Sequence, residues 1–410
     1  MEHTADVVIV GGGIAGGALG TVLARNGVDV VVLERQTTYR DKVRGEVVLP
    51  WGAVELLALG LEDVLLGAGG GYAERTIAYD ETVEPAAAEA APIPYAFLVP
   101  GAPGALNVGH PQACQALTES AAAAGARVVR GIDDVVVTAG GSPAVAYTHD
   151  GEEHRVACRL VVGADGRGSV VRDQVGITLE ASEPRTIGAG LLVEGTSWPT
   201  DSNVLGTEDD KLFLAFPRPG GVTRLYLLYD VAEKQRFTGP TRAQDFLDDF
   251  MVRCIPDVER FRGTPIGPCS SYPMNDTWCT APYAAGVVLV GDAAGWNDPI
   301  IGQGLSISLR DVRIVSEAIL DGTDWSASAF APYGDERSER MRRLRFSASI
   351  TTDLRCDFTE RGRTRRAAFL SAAKEDFSLL GPLLAGLMGP DKIAPDAFSD
   401  ETRERILAFG

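Results

Sequence analysis

The chain is poor in the residues that build metal and redox centres. Its 410 residues include four histidines and six cysteines. The histidines are His3, His110, His149 and His154, and no Cys/His cluster has the spacing of a metal site. The cysteines (114, 158, 254, 269, 279, 356) form no C-x-x-C pair. These absences argue against a structural zinc module, so no metal is expected. Basic residues are also scarce: 38 Lys and Arg face 56 Asp and Glu, for a net charge of -18. That disfavours nucleic acid or an anionic membrane as a general partner. No apolar run is long enough to span a bilayer, and no charged-then-apolar leader opens the chain. A reduced, cytoplasmic setting is the expectation. What remains, 45% hydrophobic and 23% charged residues, is ordinary for a globular protein. The length exceeds one simple core and predicts two interlocked domains.

Residues 6–35, DVVIVGGGIAGGALGTVLARNGVDVVVLER, organise the rest. The β-branched run 6–10 predicts a buried parallel strand. Gly11, Gly13 and Gly16 then give G-x-G-x-x-G. Gly11 permits the turn, Gly13 lets a pyrophosphate reach the backbone, and Gly16 lets the next helix pack on the strand. That helix begins with Ile14 and Ala15, and its N-terminus offers free N–H groups to phosphates. A second strand over 28–33 ends at Glu34, which can accept both ribose hydroxyls of an adenosine. Arg35 follows it. A glycine-rich turn in an unrelated α/β domain is the competing reading, but strand, helix and acid together predict dinucleotide binding. The position near the N-terminus favours a resident FAD over a visiting NAD.

Further on, residues 36–50 read as a polar loop returning to the cofactor, 51–66 as one helix and 83–92 as a surface loop. A helix is predicted over 109–124, with strands at 127–129, 135–137, 145–147 and 160–162. Residues 181–281 hold short alternating strands, such as 211–216 and 222–229, and predict an antiparallel sheet over the first domain. Leu212, Phe213, Phe216, Tyr226 and Tyr229 make it rich in apolar and aromatic residues. Beyond about residue 303 the chain reads as helical. Arg337 to Arg345, interleaved with Glu339 and preceded by Glu336, reads as a solvated helix face. Steering an NADPH phosphate is its less favoured alternative. The apolar run 377–388 is broken by Gly381-Pro382 and reads as a packed helix pair or a lid.

Two more motifs follow the first. In LVVGADGRGSVVR (160–172), Asp165 can cap free N–H groups beside a pyrophosphate and Ser169 can cap the next helix. In GVVLVGDAAGWNDPIIGQGLS (286–306), a strand delivers Gly291-Asp292, whose carboxylate can accept from a ribityl hydroxyl. Gly302, Gln303 and Gly304 then lead into a helix at Leu305. The helix end points positive dipole at the N1 and C2 carbonyl region of a reduced flavin.

With these three motifs in order, the sequence resembles the class A flavoprotein monooxygenases, the para-hydroxybenzoate hydroxylase-like family. The resemblance implies an α/β fold: a Rossmann-type FAD-binding domain with an inserted, mainly antiparallel β substrate domain and C-terminal helices. The expected division is 1–75, 101–180 and 282–345 for the FAD domain, 76–100 and 181–281 for the β domain, and 346–410 for the C-terminal segment. The resemblance also implies that Pro299 and the loop 302–304 face the isoalloxazine. His110, at the start of a helix, would also contact the cofactor. There are departures. Gly295 stands where the family has His, Ser306 where Asn is usual, and His110 where an Arg often begins the helix. Arg44-Gly45-Glu46 followed by Pro50 looks more like the reductase and halogenase branches, and by resemblance lies near the flavin. A loop held by a local ion pair is its other reading.

The function implied is an FAD-dependent monooxygenase that places one oxygen atom from O2 on an aromatic or polycyclic small molecule through a flavin C4a-(hydro)peroxide. Arg44, Pro299 and Gly302 are the residues expected closest to the chemistry. NAD(P)H binds transiently or a separate flavin reductase supplies the electrons, since no second dinucleotide fingerprint occurs. The alternative is an FAD-dependent reductase of the geranylgeranyl reductase/halogenase-like branch. Halogenation itself is disfavoured, because none of the tryptophans (51, 198, 278, 296, 325) supplies W-x-W-x-I-P. A non-catalytic binding protein on the same fold is argued against by the intact motifs.

Overall fold

The computed structural model describes residues 2–409. A central six-stranded sheet runs in the order Tyr283–Ala284, Val287–Leu289, Leu160–Gly163, Val7–Val10, Val30–Glu34, Arg127–Arg130. All neighbours pair in parallel except the first two. Both faces are covered, which is why these strands read as unbroken apolar runs. Val7, Ile9, Val30, Val32 and Leu160 face a helical layer, while Val8, Val10, Val31, Leu33 and Val161 face a second sheet. The helical layer is formed by Ile14–Arg25, His110–Ala123 and Gly304–Asp321. Its close packing needs small residues: a Cβ on Gly17 would lie 2.9 Å from Leu117 Cβ, and one on Gly20 2.9 Å from Val32 Cγ2.

An eight-stranded sheet forms the other large body. Its core strands Thr186–Glu194, Val222–Asp230, Lys211–Arg218 and Ser202–Glu208 are antiparallel neighbours. One face packs Phe213 and Tyr229 against Phe246 and Phe250 of the helix Arg242–Asp249 and its C-terminal cap. The opposite face carries Leu212, Tyr226 and Leu228 against Val43, Ile300 and Ala348. Of the aromatic residues singled out in this region, Phe213 and Tyr229 are therefore core, and Tyr226 lies on the face turned to the loops of Val43 and Ile300.

Several local expectations are corrected. Residues 51–66 are two helices, Pro50–Ala58 and Glu62–Gly67, separated where Gly60 takes φ +64. The surface loop at 83–92 contains the helix Pro85–Ala90. The strand before it, Arg75–Asp80, joins the large sheet parallel to Ser202–Glu208. The polar loop 36–50 contributes a short strand, Val47–Val48, paired with Ala105–Asn107. The helix Ala331–Arg355 runs unbroken across residues 345 and 346, where the C-terminal segment was expected to begin. Residues 377–388 are a 3-10 turn, Phe377–Leu380, and a packed helix, Gly381–Met388. Among the described residues no helix is long and apolar enough to cross a membrane.

Candidate cofactor and active site

Strand order brings the three motifs together at the C-terminal ends of adjacent parallel strands, where open α/β sheets hold their ligands. Gly11 takes φ +103, and a Cβ there would lie 2.4 Å from the Ala164 carbonyl oxygen. A Cβ on Gly16 would overlap the Gly11 oxygen at 1.8 Å, and one on Gly291 would sit 3.3 Å from Ala15 Cβ. Gly11 and Gly291 are imposed by contact between motifs, and Gly16 by contact within the first. Gly13 and Gly304 differ, because a Cβ at either would meet nothing within 4 Å. Both stand at the start of long helices, Ile14–Arg25 and Gly304–Asp321, that have no side-chain cap. Their first-turn N–H groups are therefore left for a ligand. By contrast, the short helix Val170–Gln174 is closed by Ser169, whose Oγ accepts from the Arg172 N–H. Open cradles at two uncapped helix ends fit the pyrophosphate and flavin ends of a dinucleotide.

At the adenosine end, Glu34 Oε2 accepts the Gly12 N–H at 2.7 Å and Oε1 accepts the Gln36 N–H at 2.7 Å. The carboxylate is thereby locked at the strand tip. Arg35 beside it is exposed. In the second motif, Asp165 accepts from the Ser169 hydroxyl at 2.5 Å and from the Val171 N–H at 3.2 Å. Burial raises its carboxyl above the usual range. In the third, Asp292 Oδ2 accepts from Arg167 Nε at 3.2 Å, and the Arg167 guanidinium lies 4.9 Å from the centre of the Trp296 ring. The Trp296 indole N–H is buried without a partner.

Asp298 accepts the Ile300 N–H at 2.9 Å and closes the turn Pro299–Ile301, which ends at Gly302 with φ +65. Burial, with a contribution from Asp276, pushes the Asp298 carboxyl up to about 7. The Gln303 side chain is fully engaged, and its Nε2 donates back to the Ile301 oxygen of this turn. Its Oε1 accepts from Trp51 Nε1 at 2.9 Å and its Nε2 donates to the Gly386 oxygen at 3.1 Å. Only its backbone remains for a cofactor.

Arg44 sits on a strained loop, with Val43 at φ +57 on one side and Gly45 at φ +75 on the other. A β-branched residue at positive φ costs of order 1–3 kcal/mol and persists only where the surroundings impose it. Here Val43 is fully buried and its N–H is taken by Asp41 Oδ1 at 2.7 Å. The Arg44 guanidinium lies 4.6 Å from the Tyr272 ring centre, with its Nε buried and unpartnered. Burial, then the nearby Arg167, lowers its pKa. A Cβ on Gly45 would come within 2.8 Å of His110 Nδ1 and 3.0 Å of Leu305 Cδ1. Burial lowers the His110 pKa, and its Nε2 is 3.6 Å from Cys114 Sγ. The local ion pair suggested for Arg44–Glu46 is not formed. Glu46 is instead bridged by Arg224 at 3.2 Å and Arg218 at 3.5 Å, both on the large sheet. A buried carboxylate needs buried counter-charges, and the sheet supplies them here.

The solvated reading of 337–345 holds for Arg342, which is exposed, and is corrected for Arg337 and Arg340, which are 1% and 4% exposed. Both reach Asp311, Arg337 Nε at 3.0 Å and Arg340 Nη2 at 2.6 Å. Burial alone would raise the Asp311 carboxyl, but the two arginines outweigh it and hold it below the usual range. Sequence reasoning also passed over Arg167, Tyr272 and Asp298. Arg167 and Asp298 lie inside quoted motifs, whereas Tyr272 carried no signal beyond a short alternating strand.

A family profile described as "FAD binding domain" matches residues 4–345. Ubiquinone hydroxylase UbiL of Rhodospirillum rubrum is 27% identical over 370 residues, 83% of this chain and 78% of that protein. Squalene monooxygenase SE1 of Panax ginseng is 46% identical over 63 residues, 15% of this chain. The chain spans between 11% and 61% of the length of the first curated relatives it matches. Among solved structures, p-nitrophenol 4-monooxygenase PnpA from Pseudomonas putida shares the fold, with a TM-score of 0.78 at 18% identity over 95% of this chain and 99% of that one.

Proposed function

Because the chain belongs to the FAD-binding-domain family, we propose that it is an FAD-dependent monooxygenase acting on an aromatic or polycyclic small molecule. The observation that carries this reading is the convergence of three motifs beneath an apolar sheet face. Leu212, Tyr226, Leu228 and Tyr272 of that face pack around Val43 and Ile300, next to the strained Arg44 loop. FAD, reduced by NAD(P)H or a separate reductase, supplies the electrons and the oxygen chemistry.

The chain's own residues have separate tasks. Glu34 receives the ribose hydroxyls and the glycine turn the pyrophosphate. Asp292 accepts from the ribityl chain, and the uncapped helix at Gly304 stabilises negative charge on the flavin ring. Arg44, packed on Tyr272, presents a cation beside the ring, while the apolar face excludes water from the reacting atoms. Asp298, with Oδ1 held by the Ile300 N–H, holds a proton near neutral pH beside Pro299. Substrate-stimulated NAD(P)H oxidation, with isotope-labelled oxygen from O2 entering the product, is the expected result. Product formed without that label refutes it.

A second reading, an FAD-dependent reductase, is supported by the way Arg44-Gly45-Glu46 is built into a strained loop anchored by Arg224. Turnover under strictly anaerobic conditions with NAD(P)H separates the two. A reductase continues and a monooxygenase stops.

A further inference from the structure

The turn that carries Asp292 is gripped from behind by a guanidinium. Arg337, on the helix Ala331–Arg355, donates from Nη1 to the Ala294 oxygen at 2.8 Å. Its Nη2 donates to the Gly295 oxygen at 2.8 Å and to the Gly291 oxygen at 3.2 Å. Its Nε is held by Asp311 Oδ2, which also accepts the Gly291 N–H at 2.9 Å. Arg172 Nη1 reaches the remaining outward carbonyl, that of Ala293, at 3.3 Å. The turn is glycine at both ends, Gly291 at φ +60 and Gly295 at φ +105. Such a segment has the most conformational freedom to lose and no apolar side chain larger than alanine to pin it.

Stability does not account for this cluster. Asp311, Arg337 and Arg340 are almost completely buried, and burying charges costs about as much as their pairing returns. What a guanidinium adds is shape. Its planar fork meets three carbonyls together only when they hold one arrangement. Asp292 is the turn's single polar side chain, and Arg167 from the second motif already fixes one of its oxygens. We infer that Arg337, aligned by Asp311, is a positioning residue that sets the Asp292 carboxylate for the ribityl chain of FAD. The inference rests on the FAD reading above.

Arg337→Lys keeps the charge but cannot span three carbonyls. Its expected effect is a rise of about tenfold in the FAD dissociation constant with ADP affinity changed less than about twofold, because ADP would be held by Glu34 and the glycine turn at 11–16 and has no ribityl chain to reach Asp292. Tyr333→Phe is the control. It removes a buried bond from the same helix, Tyr333 Oη to the Leu289 oxygen at 2.9 Å, without touching the turn. It is expected to lower the melting temperature and leave the FAD-to-ADP ratio unchanged. Equal weakening of FAD and ADP by R337K, no weakening of either, or a ratio shift in Y333F as large as in R337K overturns the inference. If R337K does not fold, amide exchange in the flavin-free wild type decides. The Gly291 N–H should then exchange as slowly as the Val7–Val10 strand, and rapid exchange refutes the clamp. Wild-type protein that takes up no FAD would instead refute the functional reading and is told apart by that single measurement.

Discussion

Replacing Asp298 with asparagine probes how the loop ahead of Pro299 is held. Burial is the largest influence moving this carboxyl from 3.8 to about 7; Asp276 adds to it, while the Ile300 N–H, Arg185 and Arg167 oppose it. Between the two values the folded protein keeps a proton that the unfolded chain has released. Stability therefore falls as pH rises, by about 1.4 kcal/mol per unit. Over a span of about three units the loss reaches roughly 4 kcal/mol, complete above about pH 7 and absent below about pH 4. Asparagine does not titrate, and its side-chain oxygen can still accept the Ile300 N–H. The unfolding free energy of D298N minus that of wild type should thus climb by about 1.4 kcal/mol per unit between about pH 4 and 7 and then level off. Urea unfolding of the flavin-free proteins across that range reads the difference directly. Parallel pH profiles for the two proteins would show that Asp298 ionises normally and refute the reasoning.

Gly13→Val should abolish flavin uptake, read as loss of the yellow colour on purification, with little loss of stability. Gly13 has an ordinary φ of -75 and open space where the side chain would go. Arg224→Ala should cost about 3–5 kcal/mol in urea unfolding, because it strips a cation from the buried Glu46 and Asp41, and adding Glu46→Gln should recover part of that loss. Arg342→Ala should cost less than about 1 kcal/mol, since Arg342 is 45% exposed and its ion pair is with Glu339, itself 45% exposed.

The nucleotide-binding half was legible because its constraints are local. Gly11 and Gly16 are glycine because a Cβ would lie 2.4 and 1.8 Å from backbone oxygens, and such contacts leave a fixed spacing in the chain. The Asp41–Glu46 loop was not legible. Glu46 meets Arg224 across 178 positions of sequence, and no local pattern reports a partner that distant. The arginines of the Ala331–Arg355 helix fall between these cases. Arg337, Arg340, Met341, Leu344 and Ala348 are all buried, and they follow one another at helical spacing. Two arginines stand in register with an apolar stripe, and reading charge before period put them on the wrong side of the helix. Their counter-charge carries the same mark, because Asp311 lies among Leu309, Val312 and Val315 on the buried side of Gly304–Asp321. A charge in phase with the apolar stripe of one helix, matched by an opposite charge in phase on another, is a sequence signal for a buried pair. In this chain that pair stands directly behind the turn that presents Asp292.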